Sequence, residues 1–336
     1  MKLSKSFIGL VTVSTIFMLY ASGLYKNLQS DSALEIVDFS IAKPASEKNI
    51  PSNPDRVPLY GDLHVHTKYS FDAYIFGVTA TPYDAYKYAI GEAIKHPLGF
   101  DMKLKEPLDF YAVTDHGFYM GMIENYADTS SEMSKNEWTK PMHNLNRPEN
   151  VTVESLGARA NLFSSVLTQA IIKPYPYWHP KVWKAWLTNN IQVALQSFDY
   201  DVHKSAWADV ANAAEEFNDP GNFTTFIGYE FTTSTDVEGG NLHRNVIFDS
   251  SKAPIRPWTR IDSLNPEDLW TWMDGLRDQG LDSLAMPHNS NGSNGQMFEV
   301  ETFKGNALDS EYSEKRMRNE PVVEMTQVKG TSDTHP

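Results

Sequence analysis

Six short runs rich in Val, Ile, Phe and Tyr punctuate the chain, and four of them run abruptly into His or an acid. Residues 59–65 end at His64-Val65-His66, residues 108–114 at Asp115-His116, residues 223–229 at Glu230, and residues 283–286 at Pro287-His288. A fifth run, residues 246–248, follows His243 instead of preceding it, and residues 322–328 form a sixth. Runs of this length and composition read as strands. Helical patterns lie between them. Thr81-Pro82-Tyr83-Asp84 supplies an N-cap, a first-turn proline and an acidic third position for a helix reaching about Ala93. Asn265-Pro266-Glu267-Asp268 repeats that logic for a helix ending before Gly280. Residues 155–172 and 181–218 also read as helical and carry Trp183, Trp186 and Trp207. Strands alternating with helices imply an α/β fold with a mainly parallel sheet. The stretch from about 120 to 220 is too long for a simple crossover and reads as a mostly helical insertion.

Composition narrows the chemistry. With 336 residues, 41% of them hydrophobic, the chain can bury a core. Lys and Arg total 29 against 43 acids, a net charge of −14. That excess argues against a nucleic-acid partner, because neutralising phosphates needs basic groups. There are no cysteines, which excludes disulfides, thiolate metal sites and a cysteine nucleophile. Any metal must be held by His and carboxylates. At the N-terminus, Lys2 and Lys5 precede an apolar stretch and then Ala21-Ser22-Gly23. Residues 1–23 read as a secretory signal peptide, with a retained membrane anchor as the alternative. A periplasmic or secreted location follows, with a membrane partner only if the segment stays uncleaved. Residues 24–55, with Pro44, Pro51 and Pro54, read as a linker. Residues 56–336 are the folded domain.

The strand ends carry the functional signal. In a strand, residues i and i+2 face the same way, so His64 and His66 can reach one ion. Asp72 follows six residues after His66 and, taken alone, caps a local backbone amide. In Thr114-Asp115-His116-Gly117, His116 can bind a metal, and Asp115 can bind one or orient a ligand imidazole. Glu230 lies among apolar neighbours, where an ionised carboxylate is costly unless it is paired or metal-bound. His243 and His288 complete the set, although either alone reads as a structural histidine. Groups gathered at the C-terminal ends of strands mark catalytic sites in α/β barrels. Five His with two or three carboxylates suit Zn²⁺, Mn²⁺ or Fe²⁺. His96, His143, His179 and His203 lack this placement and receive no role.

Tyr60-Gly61-Asp62-Leu63-His64-Val65-His66-Thr67, Val113-Thr114-Asp115-His116-Gly117, Gly228-Tyr229-Glu230-Phe231 and Met286-Pro287-His288-Asn289 resemble the PHP (polymerase and histidinol phosphatase) superfamily. The closer likeness is to a secreted bacterial PHP-like family known only as a domain of unknown function, which His96-Pro97-Leu98-Gly99-Phe100 and Gln327-Val328-Lys329-Gly330-Thr331 also resemble. The resemblance implies a distorted (β/α)7-type barrel holding two or three divalent metal ions. It assigns His64 and His66 to the first metal, Asp72 and His116 to the second, Glu230 to a bridge, and His243 and His288 to the third. Asp333-Thr334-His335 fits the superfamily's last Asp-x-His as a pattern. It reads better as a coincidence in an earlier family segment, and on that reading the chain is expected to be C-terminally truncated. The implied activity is that of an exported metal-dependent hydrolase, a phosphoesterase using metal-activated water on a small-molecule or carbohydrate-linked ester. Asp115 is the candidate catalytic residue, orienting water or a ligand His. An amidohydrolase-type barrel also begins with HxH, but no Lys stands at a strand end to complete it. A non-catalytic extracellular metal-binding protein is the third reading, and seven candidate ligands are many for one closed ion.

Overall fold

The computed structural model describes residues 33–41, 57–169, 198–234 and 240–332. The expected signal segment, most of the expected linker, Trp183, Trp186, Asp333 and His335 lie outside the described residues. In chain order the elements are β1 (Ile36–Asp38), β2 (Gly61–Val65), α1 (Phe71–Ile75), α2 (Pro82–Ala89), β3 (Ile94–Lys95), β4 (Asp101–Met102), β5 (Phe110–Val113), α3 (Met122–Ala127), α4 (Leu156–Gln169), α5 (Tyr200–Phe217), β6 (Thr224–Thr225), β7 (Gly228–Phe231), β8 (Arg244–Phe248), β9 (Lys252–Pro254), α6 (Pro266–Arg277), β10 (Ser283–Pro287), α7 (Ser310–Asn319), β11 (Thr326–Gln327) and β12 (Gly330–Thr331). The fold is mixed α/β. No helix among the described residues is long and apolar enough to cross a membrane.

Two three-stranded sheets frame the molecule. One has the order β2-β5-β6 and is parallel; the other has the order β10-β8-β7 and is antiparallel. A parallel bridge between His116 and Glu230 joins them, because β7 continues the line of β6 alongside the end of β5. The ladders among the described residues do not close into a barrel. The expectation of a mainly parallel sheet needs correction at β8. Only twelve residues separate β7 from β8, which suits a hairpin, whereas a parallel return needs a longer crossover. The register pairs Val65 with Val113, Phe231 with Arg244, and Arg244 with Pro287. The C-terminal ends of β2, β5, β7 and β10 therefore meet the N-terminal end of β8 at one edge.

The sequence signals for helices act locally. Thr81 caps α2 through a capping box with Asp84, and Pro82 occupies the first turn. The helix stops at Ala89, short of the expected Ala93, where Gly91 takes a left-handed φ of +82°. Asn265 caps α6 by accepting from the Glu267 amide. Between β5 and β6 the described chain is helical, with α3, several 3-10 turns, α4 and α5. Trp207 on α5 is buried in the core and donates to the Pro254 carbonyl. Within the stretch read as a linker, β1 pairs with β9 and the Ala33 carbonyl accepts from Trp272. Ile36 and Val37 supply the apolar character that the surrounding polar residues masked. The sixth strand expected at residues 322–328 is reduced to β11, which pairs only with β12; Val322, Val323 and Val328 are exposed.

Candidate metal centre

Each element end contributes one or two polar groups to a single point. Glu230, the third residue of β7, is fully buried. Its Oε1 lies 3.0 Å from His116 Nδ1 and 2.8 Å from His243 Nδ1. Its Oε2 lies 3.3 Å from His66 Nε2, 3.4 Å from His288 Nε2 and 3.6 Å from His64 Nε2. Asp72, on α1, reaches His116 Nε2 at 3.1 Å. All seven residues expected to bind metal are thus gathered around one carboxylate. Local irregularities aim them. The β2–β5 register shifts between Asp62 and Val65, where the Thr114 hydroxyl accepts from the Val65 amide and donates to the Leu63 carbonyl. A shift of this kind re-aims side chains. Asn289, directly after His288, takes φ +59°, a left-handed geometry that Asn tolerates.

Hydrogen bonds on the outer ring nitrogens of His64 and His66 turn their Nε2 atoms towards Glu230. The Ser70 hydroxyl donates its single proton to Asp115 Oδ1, at 2.7 Å. It can therefore only accept from His66 Nδ1, at 2.7 Å, and from the His116 amide. That fixes the proton of His66 on Nδ1 and leaves Nε2 free to face Glu230. Glu324 likewise takes the Nδ1 proton of His64, its Oε2 lying 2.8 Å from Nδ1. Such carboxylate–histidine pairs orient ligands at metal centres. Asp115 is sealed from solvent and accepts from the Thr67 amide, the Thr67 hydroxyl and Ser70. Ser70 links Asp115 to His66, and Asp115 belongs to none of the ligand triads.

The charges are mutually dependent. Burial favours a neutral Glu230, but the charged ring of His116, which also donates to it, outweighs burial and holds the carboxyl well below its usual range. Burial likewise disfavours a charged His116, yet Asp72 and Glu230 push it up to about 10. Glu230 and Glu324 raise His64 to about 9 against the same opposing burial. Burial wins at His288, which falls to about 3, and lowers His243 as well. Those two rings stay neutral, with lone pairs available.

A cation fits the polar atoms left over. Both ring nitrogens of the fully buried His288 lack a hydrogen-bond partner, and so does Glu230 Oε2. Buried acceptors left unmatched are expensive, and a bound cation would satisfy them. Four overlapping triads have ligand atoms within 4.8 Å of one another: His64-His66-Glu230, His64-His288-Glu324, His66-Asp72-His116 and Glu230-His243-His288. The donors are imidazole and carboxylate only, a set that suits borderline and hard divalent ions.

The sequence reading missed Glu324, Ser70 and Thr232. Thr232 lies 2.5 Å from His116 Nδ1 and donates to Glu230 Oε1. An acid interrupting Val322-Val323-Glu324-Met325 was the available signal for Glu324. Ser70 and Thr232 are ordinary loop residues that the sequence does not mark. Of the unassigned histidines, His179 lies outside the described residues and the other three stay outside the cluster: His96 stacks on Phe100, His143 bonds the Ser134 carbonyl, and His203 bonds the Gly117 carbonyl.

The model of a family described as "Protein of unknown function (DUF3604)" matches residues 53–336. No curated protein and no solved structure matches the chain.

Proposed function

We propose, of a chain that belongs to the DUF3604 family, that the cluster around Glu230 is the centre of a metal-dependent hydrolase whose substrate is a phosphoester. One observation carries the reading: five imidazoles converge on a fully buried carboxylate, and Glu230 Oε2 and both His288 nitrogens have no hydrogen-bond partner. Four overlapping ligand triads favour two or three ions over one, and Zn²⁺, Mn²⁺ or Fe²⁺ suit the donors. A divalent ion held there supplies Lewis acidity and lowers the pKa of water to about 7. The chain's own residues do the rest. Glu230 would bridge the ions, Glu324 and Ser70 with Asp115 orient the rings of His64 and His66, and Asp72 holds His116. The PHP resemblance, with its seven-stranded barrel, belongs to this proposal, as does export directed by residues 1–23.

The test is a phosphoester panel run on the full chain reconstituted with Mn²⁺ or Zn²⁺. Hydrolysis that a chelator abolishes and added metal restores is expected. Tight metal uptake with no hydrolysis of any ester would overturn the enzymatic reading and leave a metal-binding protein.

A further inference from the structure

Four arginines among the described residues are buried, and three of them have oxygen partners. Arg159 donates to the carbonyls of Ile75, Leu145 and Asn150, to Asn146 Oδ1 and to the Ser155 hydroxyl. Arg244 pairs with Glu320, and Arg256 makes a two-point pair with Asp262. Arg260 is the exception. It is only 6% exposed, and its Nε is sealed without a hydrogen-bond partner. Nη1 and Nη2 have no partner among the described residues either, and they are the nitrogens that keep contact with solvent. The nearest acid along the chain, Asp262, is committed to Arg256 and to the Thr259 amide. The loop that carries Arg260, between β9 and α6, is pinned to the ligand-bearing edge. The Tyr229 hydroxyl donates to the Trp258 carbonyl, and the Thr233 hydroxyl to the Leu264 carbonyl. Thr259 packs so close to Gly117 that a Cβ there would come within 3.3 Å of its Cγ2. The guanidinium lies over the ring of Phe118, 5.1 Å from the centroid. Phe118 meets Phe71 at 5.8 Å, and Phe71 meets His116 at 4.9 Å. Arg260 is therefore one aromatic layer away from the cluster. Tyr119, directly after Phe118, takes φ +59°, a left-handed geometry rare for so bulky a side chain and of the kind that persists at sites of function.

Taking a cation out of water without pairing it is expensive, and the face of a phenyl ring offsets only part of that cost. Burial lowers the pKa of Arg260 no further than about 10, so the group stays charged at neutral pH. What is missing is an anion. The Nη1–Nη2 edge of a guanidinium presents two parallel N–H donors, a spacing that the two oxygens of a carboxylate match. The other arginine of the loop, Arg256, is already neutralised by Asp262, so the site balances a single negative charge. We propose that Arg260 anchors a carboxylate-binding site distinct from the metal centre, with the two oxygens of the ligand on its Nη1–Nη2 edge beside Phe118. Binding there needs no metal. Only the identification of the bound molecule as the substrate, a carboxylate-bearing ester, rests on the metal-hydrolase reading.

The experiment uses the full chain, both loaded with Mn²⁺ and stripped of metal with the chelator dialysed away, and acetate as the probe. Melting temperature is followed against acetate at constant ionic strength made up with chloride, for the unmutated protein, Arg260→Lys and Arg260→Met. Acetate should raise the melting temperature of the unmutated chain by about 3 °C once it exceeds its Kd about tenfold, with or without metal. Arg260→Met should lose that response. Arg260→Lys keeps the charge but not the two-point edge, and should bind acetate about tenfold more weakly. An unchanged acetate response in Arg260→Met would leave the arginine a packing residue and overturn the inference. Equal effects of acetate and chloride on the unmutated chain would overturn it too, as would a larger Arg260-dependent response to sulfate or orthophosphate. Should Arg260→Met fail to fold, Arg260→Lys takes its place in each comparison. A response confined to the Mn²⁺-loaded chain would put acetate on the metal, overturning this site while supporting the metal centre. A chain that takes up no Mn²⁺ yet answers acetate through Arg260 would support this site and overturn the metal reading.

Discussion

At the scale of single residues, Glu230 and the rings of His64 and His116 keep each other charged. A carboxylate sealed from water stays ionised only if cations or donors surround it, and removing such a partner leaves a buried charge costing several kcal/mol. Glu230→Gln keeps the shape and removes the charge. Metal affinity should fall by more than the ~10–100-fold typical of outer ligand partners, while Glu324→Gln should fall within that range. Competition titration against a chelator with a metal-sensitive dye measures both. Equal affinities in Glu230→Gln and the unmutated chain would reduce Glu230 to a structural acid. The same coupling sets a pH dependence for the metal-free chain. His64 and His116 are raised to about 9 and about 10, so the stability they contribute is full below about 6.5 and is lost as pH rises through those values. Glu230 is lowered, so its contribution is present above its ordinary value and is lost as pH falls. Chelated protein should therefore melt progressively lower from pH 8 to pH 10, and loading it with metal at pH 7.5 should release protons. A flat melting profile across that range would contradict the coupling.

At the scale of elements, the strand ends made the site legible, and their polarity explains its one odd member. His243 precedes its strand in the sequence, whereas His64, His66, Glu230 and His288 lie in or just beyond the C-terminal ends of theirs. The antiparallel run of β8 puts its start at the edge where β2, β5, β7 and β10 finish, so His243 arrives beside Glu230 at 2.8 Å. Hydrophobic runs reveal strands but not their direction, which is why a mainly parallel sheet was expected. The β11–β12 hairpin shows the converse failure. Residues 322–328 are as rich in Val as a true strand, yet Pro321 breaks the approach and the run has little to pair with, so pairing is confined to Thr326 and Gln327. Glu324 was hidden by that misreading. Helix signals were more reliable because they act within a few residues. Thr81→Ala removes the hydroxyl that accepts from the Asp84 amide and breaks the capping box. The loss should be about 1 kcal/mol of stability by urea unfolding, with metal content unchanged. No change in unfolding midpoint would mean that tertiary packing alone holds α2.

At the scale of the whole molecule, two sheets and their helices bring together residues as far apart as His64 and Glu324. In the unfolded chain these ligands are scattered, so metal binding and folding must be linked. At a free metal concentration about a thousandfold above the dissociation constant, that linkage contributes about 4 kcal/mol. Chelation should lower the melting temperature accordingly, and the shift should vanish when the cluster is dismantled. The central claim is that the edge around Glu230 is a metal centre, and metal content per chain tests it most directly. Elemental analysis of the purified full chain, after equilibration with Mn²⁺ or Zn²⁺ and removal of free ion, should give two or three ions per chain, and His64→Ala with His66→Ala should lose most of them. Full metal content in that double variant, or none in the unmutated protein, would contradict the account.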